Sequence, residues 1–428
     1  MSVPTTLAGA RVIVGVGGGI AAYKAAHLVR GLVASGAEVR VVPTASSLEF
    51  VGAATWEALS HQRVLTSVFE DVEQVAHVRL GQEADLVVVV PATADLLARV
   101  RMGRADDLLA ATLLVARGPV MLAPAMHTEM WLHPATVENV AVLRSRGAVV
   151  LEPAVGRLTG PDSGPGRLPE PEAILAAAAA VMAAPRDGSG AVRRDLEGLR
   201  VLVTAGGTRE EIDPVRYIAN HSSGKQGWAL AHAALARGAQ VTLLAANVEA
   251  ETPPGAERRD VGSAAELAAA VAELREDADV LVMAAAVADF TPRTRAEAKI
   301  KKVEGQDAPP IDLTRTEDIL RRSVEVRAAR REVAPGAAPR IIVGFAAETG
   351  SAQSSSLELA RLKARRKGAD LLVFNDLTAG VFGAETNSVR ILDTEGADVA
   401  EVTGEKVRVA HGVLDQVVGL LGDVRLQA

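Results

Sequence analysis

Short apolar runs of strand length recur along the first half of the chain, at residues 11–16, 38–42, 85–90, 120–123 and 149–151, with stretches of helical periodicity between them. Runs of Val, Ile, Leu and Ala without polar alternation are the pattern of strands buried on both faces. Helix-length spacers between them favour right-handed crossovers, which predicts a parallel sheet with helices on both sides. The pattern stops at Ala184-Pro-Arg-Asp-Gly-Ser-Gly190, where poor helix and strand formers gather. It restarts with strands at 200–204, 240–245, 279–284, 340–345 and 370–374 and a helix beginning near Ser223. The chain is therefore expected to be α/β, with two doubly wound open-sheet domains over residues 1–184 and 197–428 joined by a linker at 185–196. Between Asp289 and Leu313 a polar stretch rich in Lys and Pro is too irregular for core and reads as a long functional loop.

At 428 residues the chain can bury two or three cores without help from disulfides. Lys and Arg number 46 against 53 Asp and Glu, a net charge of −7, and aromatics make up only 3%. Such a surface repels phosphate backbones and offers few stacking platforms, so no nucleic-acid partner is expected. Cysteine is absent, which excludes a disulfide scaffold, a thiolate metal site and a cysteine nucleophile, and is compatible with a reducing cytosol. No charged segment with an apolar core precedes the first strand. The longest apolar segment, 174–184, is well short of the ~20 residues of a membrane span and reads as a packed helix. A cytoplasmic protein with no membrane partner is expected.

Gly15-Val-Gly-Gly-Gly-Ile20 lies between a strand and a helix, where backbone N–H groups at the positive helix end can meet a phosphate. A dinucleotide fingerprint would need glycine at Ile20 and an acidic end to the second strand, so a mononucleotide fits better than NAD. The same turn also serves to pack helix on strand. Asn220-His-Ser-Ser-Gly-Lys-Gln-Gly227 opens an alanine-rich helix and brings Ser222 and Ser223 to its N-terminus, as anion contacts or simply as caps. It is no Walker loop, because Gln226 follows Lys225. Lys299, Lys301 and Lys302 in the loop, and Lys363 and Lys367 four residues apart, form two cationic groups that either face solvent or share an anion. The strand ends at Ala284, Ala285, Ala286 and Asp289, and at Phe345, favour the second reading, since ligands gather at strand carboxyl ends.

Several first-half motifs occur in one order: Gly18-Gly-Ile-Ala-Ala-Tyr-Lys24, His77, Pro91-Ala-Thr-Ala-Asp-Leu96, Ala105-Asp-Asp-Leu108, Pro124-Ala-Met-His-Thr-Glu-Met-Trp131 and residues 160–167. In this the first half resembles the homo-oligomeric flavin-containing cysteine decarboxylases. The resemblance implies FMN held by Gly18, Gly19, Ile20, Thr44, Pro91, Ala92, Thr93 and Ala94, with Asp106 close by. It makes His77 the base for the substrate thiol, although a lone histidine is more often a packed or solvated one. Oxidation at the cysteinyl thiol then creates an electron sink for loss of carbon dioxide. Met126, Met130 and Trp131 are equally read as packing residues.

Three positions depart from the family pattern. His127 and Asp106 each stand where Asn is usual, His127 remaining able to orient a carboxylate as a donor. Gly160 stands where pantetheine-type enzymes carry a clamp cysteine. The expected clamp comprises Asp162, Ser163, Gly164 and Arg167, closing through Gly164 and Gly166, with Asp162, Thr159, Ser163 or a water as proton donor.

From Leu199 onward the chain is similar to phosphopantothenate–cysteine ligases, on residues 204–208, Asp213-Pro-Val-Arg216, 218–225, 284–290, 299–302, 344–349, 360–367 and Asn375-Asp376. That likeness implies CTP bound by Ala284, Ala285, Ala286, Asp289, Lys299, Phe345, Lys363 and Lys367, and an acyl-cytidylate of 4'-phosphopantothenate stabilised by Asn220. Lys299 would act in the chemistry, L-cysteine would attack, and Mg²⁺ would ride largely on phosphates and water, with protein ligands unassigned. The tandem matches the bifunctional bacterial enzymes of coenzyme A synthesis: a flavodoxin/Rossmann-like flavoprotein domain followed by a Rossmann-like ligase domain. The resemblance further implies a homo-oligomer, with trimeric flavin domains and dimeric ligase domains compatible with a dodecamer. Competing readings are a flavin-binding regulatory subunit, a ligase with an inactive flavin domain and, more remotely, a nicotinamide dehydrogenase.

Overall fold

The computed structural model describes residues 4–70, 75–157, 162–301, 310–334, 336–350, 354–376 and 386–427. The chain divides into two compact units, residues 1–195 with 251–255, and residues 196–250 with 256–428.

The first unit runs β1 (Arg11–Val16), α1 (Ala22–Ala34), β2 (Glu38–Pro43), α2 (Ala53–Ser60), α3 (Ala76–Glu83), β3 (Leu86–Ala92), α4 (Ala94–Met102), α5 (Leu108–Val115), β4 (Val120–Pro124), α6 (Thr128–Trp131), α7 (Pro134–Ser145), β5 (Val149–Val150), β6 (Ala154–Arg157), β7 (Ser163–Arg167) and α8 (Pro171–Ala183). Five parallel strands take the order β2-β1-β3-β4-β5, the flavodoxin-like order. Every residue of β3 is buried, as its unbroken apolar run predicts for a strand covered on both faces. Thr93 and Asp107 start α4 and α5 by accepting from the Leu96 and Ala110 N–H groups, so both helix starts are fixed at the carboxyl edge of the sheet. The apolar segment at 174–184 falls in α8, which is largely buried. The break at 184–190 is an ordered turn: Asp187 accepts from the Ser189 and Ala191 N–H groups, and Arg186 pairs with Val192.

The second unit runs β8 (Arg200–Gly206), β9 (Arg209–Glu211), β10 (Tyr217–Ala219), α9 (Lys225–Ala236), β11 (Gln240–Ala246), β12 (Ala256–Val261), α10 (Ala264–Leu274), β13 (Val280–Met283), β14 (Phe290–Pro292), β15 (Leu313–Arg315), α11 (Ile319–Val333), β16 (Ile341–Glu348), α12 (Ser356–Lys367), β17 (Leu371–Asp376), β18 (Thr386–Leu392), β19 (Asp398–Glu405) and α13 (Lys406–Gln427). The sheet order is β12-β11-β8-β13-β16-β17-β18-β19. Its first six strands follow the doubly wound 3-2-1-4-5-6 arrangement, and β18 and β19 extend it antiparallel. Gly206 ends β8 with φ of +90°, and a Cβ there would lie 2.0 Å from the Ala246 carbonyl oxygen, so only glycine lets the chain turn away at this point. Ser263 with Glu266 and Ser355 with Glu358 form capping boxes that fix the starts of α10 and α12.

Three details differ from the sequence pattern. The helix expected near Ser223 begins at Lys225, because Gly224 takes φ of +71° as its N-cap. The strand expected over 279–284 ends at Met283, leaving Ala284 in the loop beyond. The stretch between Asp289 and Leu313 is bracketed by the antiparallel pair β14–β15, and Lys302 lies outside the described residues. Among the described residues no helix is long and apolar enough to cross a membrane.

His232 sits in the middle of α9, only 7% exposed, and burial pushes its imidazole down to about 4. The folded chain thus keeps it neutral at pH values where an unfolded chain, with His near 6.5, binds a proton. Stability linked to this group is complete above about pH 6.5 and is lost as pH falls toward 4. In urea titrations of the whole protein, His232→Leu is expected to flatten this dependence by on the order of 3 kcal/mol between those limits. An unchanged slope would show that His232 does not titrate on unfolding.

Candidate functional site

In both sheets the strand order reverses next to the first strand, between β1 and β3 and between β8 and β13. Successive crossovers leave a crevice at the carboxyl ends there, flanked in the first unit by the glycine turn and the Pro91–Ala94 turn and in the second by residues 206–208 and 284–288.

In the first unit the Gly17 N–H donates to the Pro91 carbonyl across the crevice at 3.1 Å, tying the glycine turn to the Pro91–Ala94 turn. The next three N–H groups, of Gly18, Gly19 and Ile20, donate to no protein oxygen among the described residues. Free amides at the start of α1 are what a phosphate monoester needs. A Cβ on Gly18 would fall 2.1 Å from Ser46 Oγ, whereas one at Gly19 would make ordinary contact with Thr93 at 3.6 Å. Thr44 is buried and its hydroxyl donates to the Val16 carbonyl at 3.1 Å, so its part is to hold the turn. Ile20 and Tyr23 are more than half exposed at the mouth. Met126 and Trp131 pack against the core of the unit, while Met130 stays open to solvent.

Asp106 is paired rather than free. Arg99 donates to Asp106 at 3.0 Å, to Asp107 at 2.8 Å and to Asp95 at 3.0 Å, and Arg104 reaches Asp106 at 2.9 Å. The hydrogen bond from Arg99 holds the Asp106 carboxyl below the usual carboxylate range. The charge that Asp106 brings is therefore balanced locally. His77 lies in the first turn of α3, at the carboxyl edge by topology, and its Nδ1 is enclosed with no hydrogen-bond partner among the described residues.

His127 stands at the N-cap position of α6 without a side-chain cap bond, and its Nδ1 lies 3.4 Å from Oδ2 of Asp162, the residue before β7 in the clamp hairpin β6–β7. The Gly166 carbonyl accepts from Met126 N–H at 2.9 Å, and the β7 face of Gly164 is filled by Thr128. Ser163 is exposed at the start of β7. Arg167 pairs with Glu170, which also takes Lys24 of α1 at 3.1 Å. Thr159 and Gly160 lie outside the described residues.

In the second unit the walls are laced more tightly. Ala285 N–H donates to Thr204 Oγ1 at 3.0 Å, Ala286 N–H to the Gly206 carbonyl at 2.8 Å and Ala288 N–H to Thr208 Oγ1 at 3.0 Å. The amides of Ala285 and Ala286 are thus committed to the fold, and these residues together with Ala284 shape a wall. Asn220 is exposed and donates through Nδ2 to the Val287 carbonyl at 2.9 Å, which aligns it on the same wall. Asp289 is exposed next to it, and Lys299 and Lys301 are exposed on the loop that follows. Phe345, on β16, is half-buried against the core.

Sequence reasoning overlooked the acidic partners of the lysines. Lys363 Nζ lies 2.9 Å from Glu348 at the end of β16, and Lys367 Nζ 2.5 Å from Asp318, the N-cap of α11. It also left the work of Asp213 unread: this fully buried carboxylate accepts from Val215 and Arg216 N–H groups at 2.9 Å each and from Ile300 N–H at 3.2 Å. The Arg216 side chain, donating to it, holds Asp213 well below the usual carboxylate range. An Asp-Pro turn was visible in the sequence; its distant third donor was not. Among the described residues no cluster of three or more His, Cys, Asp or Glu could enclose a metal ion.

A protein-family model described as Flavoprotein matches residues 1–183, and one described as DNA/pantothenate metabolism flavoprotein C-terminal domain matches residues 196–420. A Mycolicibacterium smegmatis protein named Coenzyme A biosynthesis bifunctional protein CoaBC is 55% identical over 415 residues, spanning 96% of this chain and 98% of that protein. Its Mycobacterium tuberculosis namesake is 56% identical over 416 residues, 96% of this chain and 97% of that one. The Bacillus subtilis namesake is 40% identical over 414 residues, with 96% and 97% covered.

Burial alone would raise the Asp318 carboxyl, but the hydrogen bond and charge of Lys367 together with the Arg321 N–H outweigh it and leave Asp318 below the usual range. The Asp318–Lys367 pair therefore contributes stability above about pH 4 that is lost as pH falls through the depressed value. Carbon-detected NMR titration should place the Asp318 midpoint below ~3.9, and Lys367→Met should move it upward. A midpoint indifferent to Lys367 would dissolve the pair.

Proposed function

The chain belongs to the family of bifunctional coenzyme A biosynthesis proteins, and from that membership we propose how its two units divide the work. The second unit joins L-cysteine to 4'-phosphopantothenate using CTP, and the first removes carbon dioxide from the resulting phosphopantothenoylcysteine to give 4'-phosphopantetheine. The observation that supports this most is the family likeness running through both units, over 96% of the chain, onto two crevices of nucleotide-binding topology.

In the first unit the free amides of Gly18, Gly19 and Ile20 suit the phosphate of FMN, and the Pro91–Ala94 turn forms the facing wall. Bound FMN supplies the reversible two-electron chemistry that makes the thiol-bearing carbon an electron sink for decarboxylation. His77 takes the proton from the substrate thiol. His127, oriented by Asp162, donates to the substrate carboxylate until it departs. The clamp hairpin covers the reacting atoms and excludes water through its seating on Met126 and Thr128.

In the second unit Asn220, held by Val287, faces the carboxylate that becomes activated, and Lys299 offsets charge on the phosphates during cytidylate formation. Asp289 and Phe345 border the nucleotide, while Lys363 and Lys367 exchange their carboxylate partners for phosphate oxygens. With no protein cage among the described residues, a divalent cation such as Mg²⁺ is carried mainly on phosphate and water oxygens. The proposal includes a cytoplasmic homo-oligomer built on trimeric first units and dimeric second units. Gly160, in place of a clamp cysteine, favours one second reading, a ligase whose first unit binds flavin without turnover.

The purified protein should be yellow, release FMN on denaturation, and form pyrophosphate from CTP only when 4'-phosphopantothenate and cysteine are both present. His77→Asn should lower carbon dioxide release from phosphopantothenoylcysteine by about 10²-fold or more and leave ligation intact. Lys299→Ala should do the reverse. A colourless protein indifferent to CTP would remove the proposal, and flavin without carbon dioxide release would leave the ligase-only reading.

A further inference from the structure

We propose that Asp213 is a positioning residue for the ligase reaction: it pins the backbone of Ile300 and thereby sets where the flanking Lys299 and Lys301 stand. The inference rests on the ligase reading of the second unit.

Asp213 has a side chain with no solvent exposure, yet it carries a charge that burial penalises. Its Oδ1 accepts from the Val215 and Arg216 N–H groups at 2.9 Å each, which completes a local Asp-Pro turn. A turn of that kind needs no more. The second oxygen, Oδ2, accepts from Arg216 Nε at 3.0 Å and from Ile300 N–H at 3.2 Å, and Ile300 lies 87 residues further along the chain. Arg216 Nη2 in turn donates to the Ile300 carbonyl at 3.1 Å. Both backbone groups of Ile300 are therefore gripped by one Asp–Arg unit. A further bond from Ala296 N–H to the Ile212 carbonyl at 3.0 Å, and the Arg295–Glu211 ion pair, fasten the start of the same segment.

The consequence is that an otherwise irregular loop, fastened at Arg295 and Ala296, is held again at Ile300, and that residue is the neighbour of two exposed lysines. Lysine is a flexible point charge, so its placement against a developing charge depends on where its backbone is held. Displacement of a charge-stabilising group by about 1 Å costs on the order of 10²-fold in rate. Asp213 touches neither nucleotide nor carboxylate in this scheme; it acts through Lys299.

Asp213→Asn tests the idea, because the amide keeps an oxygen for the local turn and loses the second acceptor that holds Ile300. In the full-length protein it should lower kcat for CTP-dependent pyrophosphate release by about 10- to 100-fold with a smaller change in KM for CTP. Carbon dioxide release from supplied phosphopantothenoylcysteine, measured on the same preparation, should be unaffected and reports that the first unit is folded, while a KM for CTP close to that of the unmutated protein reports the same for the second. Combined with Lys299→Ala, the loss should be no greater than with Lys299→Ala alone, since one variant removes what the other positions. Multiplying losses in the double variant, or full activity in Asp213→Asn, would overturn the proposal. Native-state trypsin cleavage after Lys299 and Lys301 reads the tether without turnover and should accelerate in Asp213→Asn; equal cleavage rates would also overturn it. Should Asp213→Asn not fold, Ile300→Pro removes the tethering N–H together with the Ile side chain; it is expected to reproduce the loss of kcat and the faster cleavage after Lys301, Lys299 being then followed by proline and no longer a trypsin site. A wild-type protein that releases no pyrophosphate but shows the cleavage difference would mean that the ligase reading, not the tether, has failed.

Discussion

The reversal of strand order beside the first strand of each sheet is the constraint on which the rest depends. Parallel strands joined by right-handed crossovers put every loop of one kind at the same edge, and only where the winding changes direction do neighbouring loops part. The chain uses that gap twice. In the first unit a single bond from Gly17 to Pro91 spans it and leaves the following amides unspent; in the second, Thr204, Gly206 and Thr208 take up the amides of Ala285, Ala286 and Ala288. One crevice thus offers backbone donors, and the other offers side chains mounted on a stiffened wall.

Charge is handled in a common way in both units. Asp106 lies against Arg99 and Arg104, Lys363 against Glu348, Lys367 against Asp318, and Asp213 against Arg216. The more exposed of these, such as Arg104–Asp106, add little to stability, about 0–1 kcal/mol, so their value is in orientation, whereas the Asp213 carboxylate is buried and depends on its partners. The His127–Asp162 contact links one of the positions that set this chain apart in sequence, at the start of α6, to the clamp hairpin. A histidine there needs a carboxylate to fix its ring, and the hairpin brings one.

Much of the fold was legible because buried parallel strands carry an unmistakable signature, and β1, β3, β4, β8, β13 and β16 all show unbroken apolar runs. The strands that escaped notice are those without it. In β12 the sequence Ala-Glu-Arg-Arg-Asp-Val is that of an edge strand facing solvent, and β18 and β19 alternate polar and apolar residues as antiparallel margins do. The glycine turns, Asn220 and the lysines could be singled out because local spacing marks them. Their partners could not, since Glu348 meets Lys363 across 15 residues, Asp318 meets Lys367 across 49, and Asp213 meets Ile300 across 87. Such pairings exist only once the topology is known.

The engaged state of Lys363 and Lys367 bears on how a polyanion would enter the second crevice. With Glu348 and Asp318 already opposite them, the two ammonium groups have their charge offset before any ligand arrives. Arrival of a triphosphate would then swap one set of contacts for another, and fewer small ions would be expelled than a tally of lysines suggests. Added salt would accordingly weaken such a complex less steeply than it weakens one assembled on unaccompanied basic side chains.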